Sequence, residues 1–256
     1  MHHAGTRQAV AHHSDKPKES AEATDVDQDL LRRRSETYIV DHYTGLHNTI
    51  VSVVLAAAGL SAASLIGSHA TYGRFYVLLW MLWAASFLVC AAIFAGTMVG
   101  SVAAPPLMPG ISDLVVPLLL GVGEFVLFGV LAHQVTGLTT ASSVAKAWFI
   151  ALTAVCGCAA AAISRVMRFS GRATYAAGIA GPVDEFRYRR LPADRRGAFA
   201  TATTGIIGAA ASAAEVGWLE YLIAAFTIAG LLMALHGHAR SAAVLRKAIS
   251  GTSDPR

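Results

Sequence analysis

Six apolar stretches, at residues 46–66, 76–99, 114–132, 147–164, 198–214 and 218–236, follow one another with polar connections between them. A helix needs about 20 residues to cross the roughly 30 Å hydrocarbon core of a bilayer, and the stretches come near that length. Because no water is available there, each segment must satisfy its own backbone hydrogen bonds, which a helix does. The expected fold is therefore all-α, a polytopic transmembrane helix bundle of about six spans. Composition points the same way, since a chain of 256 residues that is 55% hydrophobic and only 14% charged has too little polar surface to coat a soluble globule.

The loop charges set the expected topology. Lysine and arginine near span ends stay on the cytoplasmic side. Arg32, Arg33 and Arg34 precede the first span, a run from Arg165 to Arg196 follows the fourth, and Arg240, Arg246 and Lys247 follow the sixth. Six crossings place all three clusters inside, leaving only Arg74 and Lys146 on outward connections, so both termini are expected to be cytoplasmic. The fifth stretch, short and weakly hydrophobic, is the weak point of that count. It reads equally as a re-entrant segment or as one arm of a tight hairpin with the sixth.

The domain plan follows directly. Residues 1–30 are polar and aperiodic, too poor in apolar surface to offset chain entropy, and read as a disordered cytoplasmic tail. Residues 31–45 form a juxtamembrane segment, residues 46–236 the six-span domain with an arginine-rich cytoplasmic loop at 165–197, and residues 237–256 a short amphipathic tail expected to rest on the inner leaflet. The first apolar run starts too far in and runs too long for a cleaved signal, so it reads as an uncleaved anchor. Pro105, Pro106 and Pro109 make the link between spans two and three a stiff turn. Trp80, Trp83, Trp148 and Trp218 fall near span ends, where interfacial aromatics are expected. Cys90, Cys156 and Cys158 lie within apolar runs, which argues against disulfides. Arginine far exceeds lysine and alanine is abundant, which suggests a GC-rich bacterial genome, and the expected location is the plasma (inner) membrane.

Within the third span, Glu124 interrupts the run "PLLLGVGEFVLFGV". An ionised carboxylate at the bilayer centre costs about 2.5–3.5 kcal/mol on insertion scales, so Glu124 is expected to face protein or a water-filled cavity. Its helix face carries Pro117 and Gly121, which free a carbonyl and permit close helix approach. Two readings follow: an ion or proton site, or a neutral acid hydrogen-bonded for packing. On the fifth stretch Thr201, Thr204, Gly205, Gly208, Ser212 and Glu215 form a small and polar stripe. The sequence topology expects that stripe to pack on the third span and to line the site through Thr204 and Gly208, with Glu215 and Glu220 near an outer mouth.

Other chemistry is weakly signalled. Histidines at 2, 3, 12, 13, 42, 47, 236 and 238 match no metal-ligand spacing, so no metal and no cofactor is expected. The segment "FRYRRLPADRRG" suits anionic lipid headgroups on the inner leaflet, without nucleic acid. Gly121–Glu124 resembles the Gly-x-Gly-Asp motif of intramembrane aspartyl proteases, but fails at the acid, and the paired aspartates of that family have no counterpart near the spans. The chain is expected not to be an enzyme. The surviving functions are a small cation- or proton-coupled transporter or channel using Glu124, with assembly as a homo-oligomer where a pore is needed, and a non-catalytic scaffold or regulatory subunit acting through its tails and basic loop.

Overall fold

A capping interaction opens one of the two central helices. Thr140 and Ser143 exchange bonds, with the Ser143 amide donating to Thr140 Oγ1 at 3.2 Å and the Thr140 amide donating to Ser143 Oγ at 3.3 Å. This satisfies donors that a helix start otherwise leaves open. The computed structural model describes residues 45–46, 48–67, 73–103, 111–132, 140–170 and 177–250, all belonging to one unit, Tyr43–Arg256. The N-terminal tail, the juxtamembrane segment up to residue 44, the histidines at 2, 3, 12, 13, 42 and 47, and the Pro105–Pro109 link lie outside the described residues.

Seven helices are described: α1 Asn48–Gly67, α2 Tyr76–Ala103, α3 Ile111–Leu131, α4 Ala141–Ser170, α5 Ala177–Glu185, α6 Leu191–Ala213 and α7 Gly217–Ser250. A 3-10 turn at Gly73–Phe75 leads into α2, and a π-helical turn at Phe186–Arg190 joins α5 to α6. No strand occurs among the described residues. Four helices are long and apolar enough to cross a membrane: Asn48–Gly67, Tyr76–Gly100, Ala141–Arg168 and Gly217–Lys247. A shorter apolar helix, Val115–Leu131, joins them. The protein is an all-α membrane helix bundle.

The fifth stretch is a helix, but α6 is not among those apolar enough to span by composition. It depends on its neighbours. α6 turns into α7 within three residues through a left-handed residue, Glu215, at φ 57°. The Val216 amide reaches back to Ala211 O at 3.0 Å and the Glu215 amide to Ser212 O at 3.3 Å, which closes the end of α6 as a Schellman motif. The hairpin reading of this stretch thus describes the geometry, and it sets α6 alongside a spanning helix.

Among α2 to α7, α4 and α6 form the most extensive helix pair, followed by α2 with α7, α3 with α4, and α6 with α7. At the centre Trp148, Phe149 and Leu152 of α4 meet Leu78, Leu82 and Ala85 of α2 and Leu127 of α3, all fully buried. Trp148 is therefore a core residue rather than an interfacial one. Its indole N–H is satisfied by Ser86 Oγ at 2.8 Å, which removes the reason for an indole to stay near water. Trp218 is exposed, as expected of a belt residue.

The arginine-rich segment read as a loop is largely helical. α4 continues through Arg165 and Arg168, the π turn carries Arg187, Arg189 and Arg190, and the first turns of α6 carry Arg195 and Arg196, while Arg172 lies outside the described residues. Val183, Phe186 and Leu191 from this region pack with Val99 of α2 and Leu245 of α7. The amphipathic tail is likewise a continuation of α7 as far as Ser250, with Leu245 turned onto the protein instead of a leaflet.

Candidate functional site

Glu124 projects from α3 into a cavity of about 150 Å³ between α1, α2 and α3. Its side chain is only 5% exposed, and its carboxylate makes no hydrogen bond or ion pair to any described residue. Val54 and Ala58 of α1 form one wall, Cys90 and Ala91 of α2 another, and Phe87, Phe94 and Phe128 bring aromatic rings. Among the described residues, Glu124 is the only acidic side chain on that lining.

The walls are held by polar clips between helices. Trp83 donates from Nε1 to Ala58 O and Ser61 Oγ, both at 3.1 Å, which fixes α2 against α1. Its ring stacks on Phe87 at a centroid separation of 5.9 Å and meets Phe128 edge-on at 6.1 Å. Ser64 Oγ donates to Ala132 O at 2.7 Å and ties α1 to the end of α3. Gly121 brings α3 close to α1, since a Cβ there would overlap the side chain of Ile50, and Gly123 brings α3 equally close to Val155 of α4.

The remaining site residues separate from this cavity. Pro117 is half-buried on α3. The carbonyl it frees belongs to Asp113, eleven residues before Glu124, or about 16 Å along a helix. That carbonyl does not join the carboxylate. Thr204 bonds back to its own helix, donating to Thr201 O at 2.7 Å. Gly205 and Gly208 pack on Phe149 and Thr153 of α4, not on the third span, and no residue of α6 lines the cavity. The stripe was legible, but its partner was not.

Glu215 is exposed in the hairpin turn, whereas Glu220 is fully buried. Glu220 Oε1 accepts from Ser142 Oγ at 3.2 Å, and Oε2 has no hydrogen-bond partner among the described residues. Glu220 lies in the first turn of α7, at the positive end of that helix's dipole. The two acids do not form an open mouth together, because Glu220 is sealed by α4.

Sequence reading missed a polar cluster at the arginine-rich end. Arg190 Nη2 pairs with Asp194 Oδ1 at 2.8 Å and donates to Ala234 O of α7 at the same distance. His238 Nδ1 lies 3.8 Å from Asp194 Oδ2. Gly237 leaves room for the guanidinium, with which any Cβ would collide. The available signal was the four-residue spacing of Arg190 and Asp194 together with the glycine between His236 and His238. No group of three or more metal-ligating side chains occurs among the described residues.

Burial pushes the Asp194 carboxyl up from 3.8 to about 6, with the Arg190 guanidinium limiting the rise. The folded chain thus holds this proton more tightly than an unfolded one. Its contribution to stability is complete below the ordinary carboxylate value and is lost as pH rises through about 6. Melting in detergent at pH 4 to 7 checks this: wild type should gain on Asp194→Asn as pH falls, and a constant difference would mean that Asp194 titrates normally.

No protein-family model matches the chain, no curated protein is detectably similar to it, and no solved structure matches it.

Proposed function

We propose that this integral membrane protein is a cation- or proton-coupled transporter in which Glu124 carries the exchanged charge. One observation supports the reading most: a carboxylate within an apolar helix lines a cavity and has no hydrogen-bond or ion-pair partner among the described residues. A neutral acid retained for packing would be expected to donate its proton to a neighbouring oxygen, and Glu124 has no such partner among the described residues. With the cavity inside one copy of the chain, transport does not demand a pore shared between subunits. Chemistry on a substrate is not part of this reading. Proton or cation flux in liposomes, compared between wild type and Glu124→Gln, is the test.

The reading includes a plasma-membrane topology with both termini and the Arg165–Arg196 segment cytoplasmic. The exposed Arg189 and Arg196 would meet anionic headgroups there. Single cysteines at Gly181 and Ser253 should resist impermeant thiol reagents in intact cells and react after lysis. Labelling of either from outside would overturn the topology.

A further inference from the structure

The lining of the Glu124 cavity is selective in its chemistry. A hard metal ion takes about six or more oxygen ligands, and a transition metal in a structural site takes about four nitrogen or sulfur donors. Among the described residues the lining supplies one carboxylate and one thiol, Glu124 and Cys90, with hydrocarbon and three phenyl rings making up most of the rest. Backbone carbonyls on these walls are engaged in helical bonds. An inorganic cation entering here would lose its water and regain little.

A weakly hydrated organic cation meets the opposite balance. Its charge opposes the Glu124 carboxylate in a low-dielectric surround, where attraction is far stronger than in water. Its carbon atoms contact Phe87, Phe94 and Phe128, whose ring faces also attract a cation. The rim explains access: Leu55 is 52% and Phe87 43% exposed on the outer surface of the bundle, so the cavity opens sideways toward lipid. At about 150 Å³ the space suits one benzene-sized group. We infer that Glu124, Phe87, Phe94 and Phe128 form a binding site for a small lipophilic organic cation, such as an ammonium bearing one aromatic ring, that enters from the membrane. This inference rests on the reading of Glu124 as a charge-handling residue and names what the charge meets.

Phenyltrimethylammonium and tert-butylbenzene have the same shape and differ in charge, which makes them the probe and its control. Both would be titrated into full-length protein in phosphatidylglycerol nanodiscs, whose lipid carries no ammonium headgroup. Tryptophan fluorescence is the readout, because Trp83 stacks on Phe87. The expected result is saturable binding of phenyltrimethylammonium, weakened about tenfold or more in Glu124→Gln. Ala91→Leu, which fills the cavity and leaves the charge, should weaken it as well. Neither sodium nor tert-butylbenzene should compete.

Equal binding to wild type and both variants, or competition by sodium at similar concentration, would overturn the inference. Flux of protons or sodium through wild-type liposomes without phenyltrimethylammonium binding would overturn it too, while leaving the transport reading standing. Charge-dependent binding without any flux would support the ligand class and remove the transport reading.

Discussion

Gly205→Leu is expected to lower the stability of the folded bundle more than any other single change in α6. A Cβ at Gly205 would overlap Thr153 Oγ1 and lie 2.9 Å from Phe149 O and 3.1 Å from the Thr153 amide nitrogen. Two of those three atoms are backbone, so no rotamer change relieves the clash. The helices must separate along their most extensive contact, and the cost should reach the upper end of the roughly 1–3 kcal/mol seen at overpacked sites, or exceed it. Gly208→Leu meets the Phe149 ring at 2.5–2.7 Å, a side chain that has some freedom to turn, so its cost should be smaller. Gly197 supplies the control, because a Cβ there meets nothing within 4 Å. Leucine at Gly197 should stabilise the exposed helix by roughly 0.8 kcal/mol of propensity. Thermal denaturation in detergent ranks the three variants, and equal losses at Gly205 and Gly197 would show that α6 does not depend on close approach to α4.

Glu124→Gln should abolish coupled flux while leaving the fold intact. Glutamine matches glutamate in size and keeps a hydrogen-bonding amide, so the walls held by Trp83, Ser61 and Ser64 have no reason to move. It has no titratable proton and no negative charge to offset a cation in the cavity. A loss of at least about tenfold in flux, equivalent to about 1.4 kcal/mol in the barrier, is the minimum expected if the carboxylate binds what is moved. Melting temperature and elution volume should match wild type, because the carboxylate makes no bond to any described residue that the amide would break. Wild-type liposomes without proton or cation flux, together with a silent Gln variant, would sink the transport reading and leave a scaffold role ahead.

Glu124 and Gly121 illustrate how far apolar patterning reaches. The cost of a charge in lipid is enough to turn Glu124 inward, and the structure has it 5% exposed. The need of every backbone group for a partner is enough to make each apolar stretch helical, and the ends of α1 and α2 fall within a few residues of the sequence reading. Small residues were legible as contact points, and Gly121, Gly205 and Gly208 all meet a neighbouring helix.

What the contacts are made with was settled only by tertiary structure. Lipid tails are as apolar as leucine, so hydrophobicity supplies no preference for one helix neighbour over another. The stripe on α6 therefore showed that something approaches, while Phe149 and Thr153 of α4 were identified by packing alone. The same holds for Trp148, whose place in the core depends on Ser86 on a different helix, and for Glu220, whose burial depends on Ser142. At the arginine-rich end the charge pattern says nothing about which arginine folds back. Arg190 does so because Asp194, Ala234 O and the space left by Gly237 converge from two helices, and only the fold brings those groups within reach. By itself the sequence determined the membrane class, the helices and an inward acid, because solvation in lipid acts on each segment separately. The cavity around that acid belongs to tertiary structure, because it exists only where three helices meet.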